Sequence, residues 1–177
     1  MNRCVLLFTI LSLPVLGQTA VGTVQKIDKD QVQVKSRDGL LTFRVDEKST
    51  VTKLKKFNDL SPLAVGDEIR VNYYGEGTLT AVNISAKVTV AGAIVEAGSN
   101  HLTVLLDSSV DAASTDRKVF VFLNPAAKLG TSRNQLAAGR RIHVIGWDAG
   151  DGVIDADKVA ISETEPPLRP ATQPRRH

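Results

Sequence analysis

The chain repeats itself. Gly22, Val24 and Ile27, followed by Val32 and Val34, lie over Gly92, Ile94 and Ala97, followed by Leu102 and Val104, at a constant offset of 70 residues. Farther along, Leu63-Ala64-Val65-Gly66-Asp67-Glu68-Ile69-Arg70-Val71 lies over Leu136-Ala137-Ala138-Gly139-Arg140-Arg141-Ile142-His143-Val144, and the stretch from Ala81 meets the one from Ala156. One small unit copied once explains this order. In a chain of 177 residues it leaves no room for two full-sized domains, which need about 100–150 residues each.

Within the first unit, apolar side chains alternate with polar ones: Val32 and Val34, then Leu41, Phe43 and Val45, then Ile69, Val71 and Tyr73. That period of two, carried by β-branched and aromatic residues, predicts one-sided strands rather than helices. Arg37-Asp38-Gly39 and Gly75-Glu76-Gly77 supply hairpin turns, because glycine accepts the positive φ that tight turns require. Strands are expected over 22–27, 31–36, 40–46, 68–74 and 79–85, with one short helical turn in the connection from Asp46 to Gly66. Three strands, a connection and two strands is the chain order of an OB-like Greek-key barrel, with an SH3-like barrel as the competing arrangement. Closure would remove the free edges of an open sheet.

The expected fold class is therefore all-β: two tandem five-stranded OB-like or SH3-like barrels packed together, over 18–88 and 89–162. The second unit departs from the first in two ways. Ser108 to Asp116 lengthens one hairpin loop, and Val119-Phe120-Val121-Phe122-Leu123 is apolar on both faces. A strand apolar on both sides is normally covered on both, so its outer face is expected to pack against the first unit. Residues 163–177, with four prolines and almost no apolar side chains, are expected to form a disordered tail.

Hydrophobic residues make up 42% of the chain and charged residues 23%, a globular composition that excludes disorder throughout and a multi-span membrane protein. Residues 1–17 read as a signal peptide: Arg3, an apolar stretch from Cys4 to Leu16 broken by Pro14, and cleavage after Gly17. The stretch is shorter than the roughly 20 residues that cross a bilayer, so no membrane span is expected after cleavage, and a periplasmic or secreted location is. Cys4, the only cysteine, would leave with the leader, so the mature chain is expected to have neither disulfides nor thiol chemistry. The formal charge of +3 falls to +2 without Arg3, too small a surplus for general attraction to nucleic acid.

The series Gly22-x-Val24, Val32-x-Val34, Phe43-x-Val45, Leu63-x-x-Gly66-x-x-Ile69-x-Val71 and Ala81-x-x-Ile84, met again from Gly92 to Val159, resembles small tandem β-barrel domains of unknown function in bacterial exported proteins. A looser likeness is to periplasmic OB-fold proteins linked with stress tolerance. The resemblance covers nearly all of the chain between leader and tail. It implies a fold and carries no catalytic residues with it.

The residues offer no catalytic set. No serine sits in a Gly-x-Ser-x-Gly elbow, and His101 and His143 replace Gln31 and Arg70 at different positions of the unit, as solvent-facing strand residues do. No metal site is expected. The histidines lack zinc spacing, and Asp148, Asp151, Asp155 and Asp157 crowd a hairpin without the spacing or closing Glu of a calcium loop. No cofactor is expected.

The remaining chemistry is binding. Lys53, Lys55 and Lys56 form a basic run in the long connection. Tyr74 aligns with Trp147, beside Arg70 and Arg141 with His143 respectively. Aromatics flanked by cations stack on extended polymers while the cations pair with charge, and packing between the units is the other use for such rings. The sequence reads as a non-enzymatic binding or interaction module of the bacterial envelope, its partner an envelope polymer or protein. Two alternatives stand beside it: an assembly component pairing through strand edges, and a protein binding oligosaccharides or anionic polymers. Nucleic acid is not an expected partner.

Overall fold

The computed structural model describes residues 17–107 and 118–162. The expected leader (all but Gly17), the lengthened loop over 108–116 and the expected disordered tail over 163–177 lie outside the described residues.

The first unit contributes β1 (Gln18–Asp28), β2 (Gln31–Ser36), β3 (Gly39–Arg44), β4 (Thr50–Thr52), β5 (Lys56–Phe57) and β6 (Glu68–Tyr74). A 19-residue strand, β7 (Leu79–Ala97), then runs into the second unit. There it is followed by β8 (His101–Leu106), β9 (Lys118–Phe122), β10 (Lys128–Leu129), a 3-10 turn (Arg133–Gln135), β11 (Arg141–Gly150) and β12 (Val153–Ile161). The five runs of alternating residues in the first unit all become strand. The Asp46–Gly66 connection differs from expectation: it holds the small antiparallel pair β4–β5, Val51 opposite Phe57, where a helical turn was expected. Val51 and Thr52 are β-branched and buried, which favours extended backbone there.

The architecture corrects the two-barrel expectation. All twelve strands belong to one mixed sheet, with the path β10-β12-β9-β8-β7-β3-β2-β1-β6, and β11 pairing both β12 and β7. Parallel contacts (β3–β7, β4–β7, β9–β12 and β10–β12) are mixed with antiparallel ones. This is neither an OB-like nor an SH3-like barrel pair, and the topology that the exported-barrel resemblance implied falls with it. The physical reason lies in β7. The boundary drawn at 88/89 requires a break, yet Leu79–Ala97 contains no proline, its only glycine is Gly92, and Thr80, Val82, Ile84, Val88, Thr89, Val90, Ile94 and Val95 all favour strand. Nothing there stops the ladder, so one strand serves both units.

Burial follows the alternation. Val24, Val32, Val34, Phe43, Ile69, Val71 and Ile84 build one apolar cluster that ends along β7 at Ala86. A second begins two residues later at Val88 and includes Val90, Ile94, Leu102, Val104, Val121, Ile142 and Val144. Equivalent positions do equivalent work. A β-carbon on Gly22 would drive into the carbonyl of Lys35, and one on Gly92 into that of Leu105, so only glycine lets each strand approach its neighbour so closely. One bulge follows Val24 and another follows Ile94. The left-handed glycines Gly66 and Gly139 donate to the carbonyls of Val24 (2.9 Å) and Ile94 (2.8 Å).

The units meet through the β4–β5 turn and β11, not through the outer face of β9. The Thr52 hydroxyl donates to the carbonyl of Asp148 at 2.9 Å, the Leu54 N–H donates to the Asp148 carboxylate, and Leu54 packs against the second cluster. Leu54 holds φ at 63°, a left-handed value that turns its N–H towards Asp148.

Candidate functional site

The basic and aromatic residues singled out in the sequence are spread over several places. Lys53 is half-buried and paired with Asp67 at 2.6 Å, and the same Asp67 oxygen caps the N–H of Ala64 at 2.8 Å. Lys55 and Lys56 are exposed at the β4–β5 turn. Arg141 is paired with Asp107. His143 is exposed on β11, between Ala91 and Ala160 in the ladder. Tyr74 is exposed at the end of β6, four residues from Arg70 and so about 13 Å along the strand.

Only Arg70 and Trp147 come together, and they do so at the junction of the units. The Trp147 ring is buried, 5% exposed, with the Arg70 guanidinium 4.5 Å from its centroid and the Lys87 ammonium 5.1 Å away. Lys87 also bonds Glu68 at 3.0 Å and Asp157 at 3.3 Å. Burial works against its charge, but these two carboxylates outweigh that and hold its pKa above the ordinary lysine value. Trp147 is thus a packed ring capped by cations, with no face open for stacking a polymer.

Asp148 follows it, buried to 1% exposure. Its carboxylate accepts the N–H of Gly150 at 2.8 Å and that of Leu54. Burial raises its pKa above 3.8, against the lowering effect of these two donors, and nearby Asp151 adds to the rise. The other acids of the hairpin turn elsewhere: Asp155 accepts the Asn124 amide at 2.8 Å and Asp157 faces Lys87. Among the described residues no group of three or more His, Cys, Asp or Glu side chains is placed to hold a metal ion.

What sequence reasoning placed differently is the outer face of β9. Along this strand Val119 and Val121 point into the core, and Phe120 and Phe122 point out, 40% and 38% exposed. His101, opposite Phe122 on β8, lays its ring on Phe120, centroids 4.7 Å apart and planes 16° from parallel. Leu105 on β8 and Val95 on β7 are also exposed. The signal is the uninterrupted apolar run Val119–Leu123, expected to pack against the first unit; among the described residues nothing of the first unit covers its outer side, and Phe120 and Phe122 stay exposed. On a sheet face carrying phenyl rings in water, each ring that became covered would remove apolar area from water at about 25 cal/mol per Å².

No protein-family model matches this chain, and no curated protein matches it. The resemblance to bacterial exported barrel domains therefore has neither the topology nor a family match behind it.

Proposed function

We propose that this chain is a non-enzymatic interaction module that docks a protein partner on the outer face of β8 and β9, through Phe120, Phe122, His101 and Leu105. The observation that carries this reading is the pair of phenyl rings held outward on a strand whose opposite side is fully packed. Aromatic anchors at the centre of a patch, with polar residues around them, are the usual energetic core of a protein interface. Lys118 and Glu96 stand exposed beside the rings and supply such a rim. Placement of the chain in the envelope belongs to the same proposal and rests on the charged, then apolar composition from Arg3 to Leu16.

The test compares the intact chain with Phe120→Ser/Phe122→Ser. Cross-linked complexes recovered from envelope extracts are expected with the intact chain and absent with the variant, while circular dichroism stays unchanged. Sedimentation of the purified protein checks whether the occupant is a second copy. Complexes held equally by both forms, or a self-associated dimer lost on substitution, would overturn docking of a different protein at this face.

A further inference from the structure

A second feature, independent of the aromatic face, lies where β10, β11 and β12 meet the end of the first unit. A cleft of about 370 Å³ is lined by Lys87, Ala126, Lys128, Ile145, Asp157 and Lys158. Lys128 and Lys158 are direct partners in the parallel β10–β12 ladder, so two like charges stand side by side. Such a pair is destabilising unless something of opposite charge lies between them. Among the described residues nothing does this. Lys87 engages both nearby carboxylates, Asp157 at 3.3 Å and Glu68 at 3.0 Å, and among the described residues no carboxylate pairs with Lys128 or Lys158. A bulge contributes to the arrangement: β12 pairs Lys158 with Ile145 and Ala156 with Gly146, leaving Asp157 out of the ladder beside Lys87. The carboxylate lining the cleft is thereby paired with Lys87, and Lys128 and Lys158 remain as a surplus of positive charge beside Ile145 and Ala126.

We infer that this cleft is an oxyanion site, in which Lys128 and Lys158 together bind a sulfate or phosphate group carried on a polymer. Two ammonium groups converge on the anion as point charges. Asp157, held by Lys87, limits the depth to which the anion enters. Ile145 and Ala126 offer contact to the carbon skeleton bearing the group.

The probes are dextran sulfate, inorganic sulfate and inorganic phosphate, each used with the full chain at low ionic strength, where such contacts are least screened. Lys128→Gln/Lys158→Gln is expected to bind dextran sulfate about tenfold more weakly than the unaltered chain. Lys128→Arg/Lys158→Arg is expected to keep the affinity, as is Lys26→Gln, which removes an exposed charge on β1. Inorganic sulfate or phosphate is expected to raise the melting temperature of the unaltered chain more than chloride at equal ionic strength. Equal affinity in the glutamine variant, loss in the Lys26 control, or an equal shift with chloride would overturn the site. Since Phe120 and Phe122 lie outside the cleft, the Phe120→Ser/Phe122→Ser variant is expected to bind dextran sulfate normally.

Discussion

The two units match strand for strand at β3 and β9, yet they place their aromatic side chains on opposite sides. In the first, Phe43 lies across from Val32, fully buried, with the Tyr73 ring 5.0 Å away, and its neighbours Thr42 and Arg44 face outward. In the second, Val121 takes the corresponding place across from Leu102, and Phe120 and Phe122 stand where Thr42 and Arg44 do. A valine fills that core position without help, so the second unit has no packing need for aromatics on this strand. Its outward phenyls are a cost in solubility that the packing of this unit does not explain, and the proposed docking face rests on that difference.

The sharpest way to break this contrast is to truncate one ring on each side. Phe43→Ala should cost about 3–5 kcal/mol in urea unfolding, the range for an aromatic removed from a packed core. Phe120→Ala should cost about 1 kcal/mol or less, since it loses only a half-exposed ring and its stack on His101. Comparable losses would mean that the outer face is structural.

Next in size is the contact that joins the units. Asp148→Ala leaves the Leu54 and Gly150 N–H groups buried without their acceptor, at about 1–3 kcal/mol each, so a loss of about 2–4 kcal/mol is expected. The same residue gives the junction a pH response opposite to that of the first unit. Its pKa is raised in the folded chain, so its contribution is fully present below 3.8 and is lost as pH rises through the raised value. Asp46 and Asp59 behave in the reverse sense. Hydrogen bonds from Lys48 and Ser49, and from Ser61, lower their pKa values, so their contributions are present above 3.8 and are lost as pH falls through the lowered values. The difference in melting temperature between the unaltered chain and Asp148→Asn should therefore move in favour of the unaltered chain as the pH is taken from about 7 to about 4. A difference that is flat with pH would remove the buried carboxylate from the account.

The smallest effect tests the ring between the units. Arg70→Gln removes one of the two cations over Trp147, worth about 1 kcal/mol at a partly desolvated site. Trp147 is the only tryptophan, so its fluorescence reports directly on this contact. A changed emission with nearly unchanged stability is expected, and unchanged emission would place the guanidinium elsewhere.

The strands were legible because alternation of apolar and polar residues is a local signal, and each run identified in the first unit became strand. How the strands join was not. The repeat suggests two closed units with a boundary at 88/89, which would divide Leu79–Ala97, although its residues contain nothing that breaks a ladder. The binding residues were less legible still. Trp147 and Arg70 look alike in sequence whether they face a polymer or each other, since their meeting depends on how β6 and β11 are brought to either side of β7. Lys87, Lys128 and Lys158 are 41 and 30 residues apart in the chain, and only the parallel β10–β12 contact makes neighbours of the last two.

The continuity of β7 has a consequence for how the protein opens. β6 pairs β7 as far as Ala86 and β11 takes over from Lys87, with no hinge residue where one ladder hands over to the other. Neither half can shed its water-excluding interior while leaving that backbone unstrained. Deuterium should accordingly enter the middle of β7 last, at a rate shared by both ends of the molecule.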